Sequence, residues 1–186
     1  MQLIIDKEIK NLSSKDLTIA EYEDCSFINC DLSNSNLSHY TFINCNFNNC
    51  NLSNSITNDT SFQDIKFNAC KLMGLDFSNC KKFNISFNFM DCDLSYTSFQ
   101  KLKIPKTKFN NCKMLECDFY DADISSSIFS NCNLQAIIFE NTNMNKSDFR
   151  GSSNIYIDIE NNNVKNTIID LSEAPGLLTK WKIKFS

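Results

Sequence analysis

Glycine is nearly missing: 3 residues in 186, so a chain that has to bend must do it with other side chains. Arginine and histidine occur once each, as Arg150 and His39, a poor kit for hydrolytic or acid–base chemistry. No stretch approaches the roughly 18 consecutive apolar residues of a membrane-spanning helix. Positive charge is in deficit too, with 18 Lys and Arg against 22 Asp and Glu and a net charge of −4. DNA binders need clustered cations to displace counterions, so direct binding of nucleic acid is not expected. The opening residues, MQLIIDKEIKNLSS, lack the basic segment, apolar core and small-residue cleavage site of a secretory signal. The expectation is a single soluble, cytoplasmic domain with a sizeable core.

What is abundant is asparagine, 27 residues, and phenylalanine, 16. A large apolar residue returns at every fifth position. One run goes from Leu17 through Tyr22, Phe27, Leu32 and Leu37 to Phe77, and a second from Phe89 through Leu94, Phe99 and Ile104 to Phe149. Thr57 is the only exception among these 26 slots. In an α-helix every fifth residue lands about 500° around the axis, which scatters the apolar set. In a flat strand successive fifth residues face opposite sides. A chain that turns a corner every five residues puts all of them inside, so the period describes a solenoid of four-sided coils. Asn and Ser, as in FINC, LSNS and FSNC, take the corner positions where positive φ is tolerated.

Four units make a coil of 20 residues, and adjacent coils lie about 4.8 Å apart, as strands in a ladder do. Residues 20 apart then stack, in columns such as Phe27/Phe47/Phe67, Leu32/Leu52/Leu72, Phe89/Phe109/Phe129/Phe149, Phe99/Phe119/Phe139 and Ile104/Ile124/Met144. Each large side chain contributes about 1.5–3 kcal/mol on burial, which offsets the entropy of ordering the corners. About seven to eight coils would make a rod near 35 Å long. Such a core is a dry ladder with no cavity for a substrate. No nucleophile–base pair and no metal constellation accompanies it, so no catalytic, cofactor or metal residue is assigned and a non-enzymatic protein is expected.

With the large apolar residue called position i, position i−2 is small (Ala20, Cys25, Cys30, Ser35, Thr97, Ala122) and i−1 is often Asp or Asn (Asp31, Asn46, Asp93, Asp118, Asp148). The units CDLSN, CNFNN, CNLSN, CDLSY, CDFYD, ADISS and SDFRG follow one template. This resembles the pentapeptide-repeat family over residues 17–77 and 89–149. The resemblance implies an all-β, right-handed quadrilateral β-helix with i and i−2 inside. All ten cysteines, from Cys25 to Cys132, occupy the i−2 frame, Cys80 counting if the first register runs on through Lys82, and free thiols pack there as small hydrophobes. Their spacing is not that of metal knuckles. Cys30/Cys50/Cys70 and Cys92/Cys112/Cys132 should stack within bonding distance, and a cytosolic compartment would keep them reduced.

Phe77 and Phe89 are 12 residues apart, so the register breaks by two within 78–88. This is a bulge or loop at one corner, and its residues Lys81, Lys82, Phe83, Asn84, Ile85 and Ser86 are the candidate partner-binding loop. His39 falls at an outward position. Lys101, Lys103, Lys106, Lys108 and Lys113 form a basic cluster, in which Lys101 over Asp121 and Lys103 over Asp123 predict cross-coil ion pairs. Residues 1–16 should cap one end of the 17–170 solenoid, and 171–186 the other. Residues 151–170 could make one looser coil with Ile159, Val164 and Ile169 inside. Ser172 is a candidate N-cap and Pro175 a first-turn residue of a short helix near 173–180, followed by an extended stretch from Ile183 to Phe185. Leu177, Leu178, Trp181, Ile183 and Phe185 make this segment apolar enough for a homodimer interface.

The mid-rod interruption and the ending SEAPGLLTKWKIKF resemble the Qnr/MfpA-like branch of the family. That resemblance implies a dimer joined through its C-termini, which binds DNA gyrase or topoisomerase IV in place of duplex DNA and modulates quinolone susceptibility. Acidic outward residues would then stand in for phosphates, and residues 1–77 hold ten Asp and Glu against five Lys. The alternative is a structural or scaffold β-helix with an unrelated protein partner.

Overall fold

The computed structural model of this chain describes residues 1–183. The chain turns once every five residues, two positions after each large apolar one. From Asp24 to Ala69 and again from Asp91 to Lys146, every residue at that position is left-handed, with φ between 49° and 68°. This conformation costs an ordinary L-residue about 1–2 kcal/mol and Asn or Asp less, which accounts for the asparagines. Serine often fills the preceding turn position, as at Ser33 and Ser53. Corner N–H groups bond to the next coil: Asn44 donates to the Gln63 carbonyl at 2.8 Å and Lys101 to that of Tyr120 at 2.9 Å. Those bonds hold even Tyr96, Lys101 and Lys106 in the left-handed region.

The other template positions have equally local causes. At i−1 the side-chain oxygen accepts from the backbone N–H two residues on, closing the turn: Asp31 from Ser33 at 3.1 Å, Asp118 from Tyr120 at 2.8 Å and Asp148 from Arg150 at 3.0 Å. At i−2 the small residue is also a donor. Cys50 Sγ donates to the Phe27 carbonyl at 3.4 Å, Thr60 Oγ1 to Leu37 at 2.7 Å, Ser147 Oγ to Ile124 at 2.8 Å and Ser152 Oγ to Phe129 at 2.8 Å. Cys, Ser and Thr interchange there because each fits the slot and each satisfies the same carbonyl. Thr57, which breaks the apolar period, is buried and donates to the Asp76 carbonyl at 2.6 Å.

The result is a parallel solenoid with four walls. Wall one is a four-stranded sheet, Gln2–Ile5, Ala20–Glu23, Thr41–Ile43 and Ser61–Gln63. Wall two is a seven-stranded sheet, Glu8–Lys10, Ser26–Ile28, Asn46–Asn48, Ile65–Asn68, Phe87–Met90, Lys108–Asn110 and Ile128–Ser130. Bridges extend it from Ile128 to Asp148 and on to Ile168. Walls three and four are held by single bridges, through Asp31, Asn51, Lys71, Asp93 and Lys113 on one and Asp76, Ser98, Asp118 and Ile138 on the other.

Inside, the two phenylalanine columns expected on wall two join into one that runs through the register break. Successive ring centroids from Phe27 through Phe47, Phe67, Phe89, Phe109 and Phe129 to Phe149 lie 4.6, 5.1, 5.4, 5.1, 4.6 and 4.6 Å apart. A second aromatic column changes walls at the break. Tyr22, Phe42 and Phe62 lie on wall one; Phe77, just before the break, and Phe99, Phe119 and Phe139 beyond it lie on wall four. Phe87 fills the crossing, 5.9 Å from Phe62 and 4.9 Å from Phe77. Aliphatic residues take the opposite sides, as with Leu32, Leu52, Leu72, Leu94, Met114 and Leu134.

The ends differ in detail from expectation. Residues 1–16 cover their end as a further coil, whose strands pair 18 residues on rather than 20, Ile4 with Tyr22 and Ile9 with Phe27. At the other end Asn154 takes the left-handed corner early, at φ 60°, so Ile155 and Ile157 turn inward and Ile159 is left 37 % exposed. The expected inward placement of Ile159 is therefore corrected; Val164 and Ile169 do pack against the core. The helix is one turn, Pro175–Leu178, between 3-10 turns at Leu171–Glu173 and Thr179–Trp181. Ser172 is not its N-cap: it lies inside the first 3-10 turn, and Ala174 precedes the helix with no side-chain cap.

Candidate partner-binding surfaces

The two extra residues lie in the corner between walls one and two. Lys81 still pairs 20 back with Ser61, whereas Phe87 pairs 22 back with Ile65, so five residues, 82–86, do the work of three. Lys81, Lys82, Phe83 and Asn84 are exposed, Phe83 by 74 %. Ile85 is the correction within this group: it is 7 % exposed and bridges back to Gln63, so it anchors the loop instead of presenting it. Ser86 is half-buried, and its hydroxyl donates to Asp64 at 2.7 Å. Lys82 Nζ donates to the Lys101 carbonyl at 3.3 Å.

Among the described residues the expected ion pairs Lys101–Asp121 and Lys103–Asp123 do not form. Lys103 and Asp123 are backbone partners, but exposed lysines gain too little from such a contact to give up their rotamer freedom. Lys113 does reach Asp93, at 3.3 Å. His39 is an exposed corner residue with φ 68°.

Sorted by wall, Asp76, Asp118 and Glu140 fall on wall four, Asp158 lines one pocket with Glu140, and Asp59 and Asp121 stand on the corner that follows, with Lys101 between them. Sequence reasoning missed this stripe because it counted charge along the chain. Sorting by columns of 20 reveals it only after the two-residue shift is removed. At its upper end Lys180 Nζ pairs with Asp158 at 3.0 Å and Glu160 at 2.5 Å. These bonds hold the Asp158 carboxyl below its usual range and raise the lysine.

The tail is fastened by Glu173, which accepts from the Ile155 N–H at 3.0 Å, and by Leu177, which closes a cavity of about 100 Å³ with Ile157, Ile159, Val164 and Ile169. Gly176 is required there, since a Cβ would lie 1.7 Å from the Ile155 carbonyl oxygen. Of the candidate dimer residues, Leu177 and Leu178 are half-buried, whereas Trp181 and Ile183 are 42 % and 50 % exposed. Phe185 lies outside the described residues. All ten cysteines are free and buried, and burial pushes the Cys45 and Cys80 thiols up to about 12. No helix among the described residues is long and apolar enough to cross a membrane.

A parallel solenoid wound from five-residue units and closed by a short helix is the architecture of a repeat protein. The model of the pentapeptide repeat region matches residues 20–99 and 102–177, and the chain belongs to the pentapeptide-repeat family. No curated protein matches its sequence. Three solved structures of QnrB1, a plasmid-mediated fluoroquinolone resistance protein, share its fold. A trypsin-treated variant is 22 % identical with a TM-score of 0.58, covering 100 % of this chain and 98 % of that one. The full-length protein is 21 % identical with a TM-score of 0.57, covering 98 % and 99 %. A second trypsin-treated variant is 20 % identical with a TM-score of 0.64, covering 100 % and 99 %. At these identities the likeness is one of fold.

Proposed function

We propose that this protein is a cytoplasmic, non-enzymatic binder of a type II topoisomerase, DNA gyrase or topoisomerase IV, that mimics DNA and modulates quinolone susceptibility. The observation that carries the reading is the carboxylate stripe on wall four, set on a straight parallel ladder. Asp76 and Asp118 are two steps apart there, about 10 Å, so negative charge recurs along the rod at intervals fixed by backbone hydrogen bonds. The full-length likeness in fold to QnrB1, itself a fluoroquinolone resistance protein, supports the same reading. The second copy joins through the exposed apolar residues of the C-terminal segment, Trp181 and Ile183 among them.

Gel-based supercoiling by gyrase, with and without ciprofloxacin, tests the activity at micromolar protein. An effect that disappears in D118K/D121K supports the acidic wall, and no change with the unmodified protein removes the reading. Sedimentation of a chain ending at Asp170 tests the dimer; a persisting dimer would relocate the interface. The lysines around the insert favour a second reading, a scaffold with an unrelated protein partner. Pull-down from the native cytoplasm without topoisomerase subunits would decide for it.

A further inference from the structure

At the level of the insert, wall two carries a shallow groove of about 310 Å³ between two side-chain ladders. On one side Lys66, Asn88 and Lys108 are successive partners in the sheet; on the other, Asn68, Met90 and Asn110. The strand spacing puts the two lysine backbones about 10 Å apart, with Asn88 between them. Phe89 lies beneath, itself 1 % exposed, and Met90 lines the groove with 47 % of its surface open. The insert opens on the same edge, because 82–86 lead directly into strand Phe87–Met90. Phe83 is the most exposed phenylalanine among the described residues at 74 %, directly after Lys81 and Lys82. Lys106 occupies the same corner one coil further on.

Among the described residues none of Lys66, Lys81, Lys82, Lys106 and Lys108 lies within ion-pair distance of a carboxylate. The carboxylates nearest in the neighbouring corner columns are engaged elsewhere: Asp64 accepts from Ser86, and Asp91 from Asn111 Nδ2 at 2.5 Å. On a chain whose net charge is −4, this is a local excess of cations around exposed apolar groups. Like charges gathered this way repel one another until an anion is placed among them. A phosphate backbone would answer the lysines but offers nothing apolar to cover Met90 and Phe83. A polypeptide with carboxylates beside an apolar side chain answers both, since aromatic and thioether groups anchor protein interfaces while a ring of charge steers the encounter.

We propose that the wall-two groove and the insert beside it form one docking surface for an acidic polypeptide segment bearing an apolar anchor residue. Its carboxylates meet Lys66 and Lys108, and its anchor covers Met90 and Phe83. This surface is separate from the acidic wall four, and its test involves no topoisomerase, so either proposal can fail alone.

The probe is a fluorescein-labelled peptide of sequence EELFEELF, titrated with the full chain and followed by anisotropy. An all-glutamate peptide of equal length and a short DNA duplex are measured beside it. We expect saturable binding of the mixed peptide that weakens about tenfold in K66E/K108E and about fivefold in F83A, with K15E/K165E unchanged. Far-UV circular dichroism confirms that each variant keeps its coils. The proposal is overturned if the duplex binds more tightly than the peptide, or if the all-glutamate peptide binds as well as the mixed one. It is equally overturned if K15E/K165E loses as much as K66E/K108E, if no peptide binding saturates, or if sedimentation shows the groove occupied by a second copy.

Discussion

Phe109 sits in the middle of the wall-two column and is the sharpest probe of what holds this rod together. It is fully buried, stacked on Phe89 at 5.1 Å and on Phe129 at 4.6 Å, with edge contacts to Phe99 and Phe119, both at 6.0 Å. Replacing a buried phenylalanine by alanine costs about 3–5 kcal/mol, from lost transfer energy plus the cavity left behind. Each aromatic pair adds about 0.5–1.5 kcal/mol beyond area burial, and here four are lost at a site whose backbone cannot collapse because it is laddered on both sides. Phe109→Ala therefore falls at the upper end, about 5 kcal/mol. Phe139 is the control: 7 % exposed, stacked only on Phe119 at 5.6 Å and edge-on to Phe149 at 5.9 Å. Phe139→Ala should cost about 3 kcal/mol. Urea unfolding followed by circular dichroism should rank the midpoints as unmodified, then Phe139→Ala, then Phe109→Ala. Because each coil touches only its neighbours, hydrogen exchange in Phe109→Ala should accelerate first between the coils of Phe89 and Phe129. A cost below about 1 kcal/mol, or one equal to that of Phe139→Ala, would refute the view that the stacked column carries the stability.

Three further outcomes follow from the core and the cap. Burial raises Cys45 and Cys80 from 9.0 to about 12 and Tyr22 from 10.0 to about 12, so these groups stabilise the fold fully below their unfolded values. That contribution is lost as pH climbs from about 9 to 12, and urea midpoints should fall steadily across that window. At pH near 8 Ellman's reagent should find almost none of the ten thiols in the native protein and all ten in urea; rapid native labelling would contradict the inward i−2 assignment. Gly176→Ala forces a Cβ to within 1.7 Å of the Ile155 carbonyl oxygen, so the helix must lift. Hydrogen exchange should then speed up over 171–181 while the coils below stay protected, and unchanged protection would show that the tail is not seated as described.

The five-residue rhythm carried most of the fold, because every repeat reports the same inward contact and errors at single positions average out. Thr57 did not disturb that reading. What stayed hidden depended on interruptions of the rhythm. The two extra residues between Lys81 and Phe87 disguised Phe67 and Phe89 as members of separate columns, although their rings are 5.4 Å apart. The same shift concealed the carboxylate stripe and the passage of the second aromatic column from wall one to wall four through Phe87. Ile159 misled because Asn154, a residue at ease in the left-handed region, could take the corner ahead of schedule. The lysine pairs failed for a different reason: being stacked in a column brings two backbones close without obliging long, solvated side chains to meet.

A ladder in which each rung repeats the last has no preferred number of rungs. Duplicating or deleting 20 residues in step with the columns would alter the rod's length and leave each kind of contact as it was, so length here is a quantity that mutation can adjust in whole units. Residues that do not complete a coil can be absorbed at a corner. The corner between Lys81 and Phe87 has admitted two, with the rings of Phe67 and Phe89 stacked across it, and a longer foreign sequence spliced between Phe83 and Asn84 would hang outward while the ladder closes behind it.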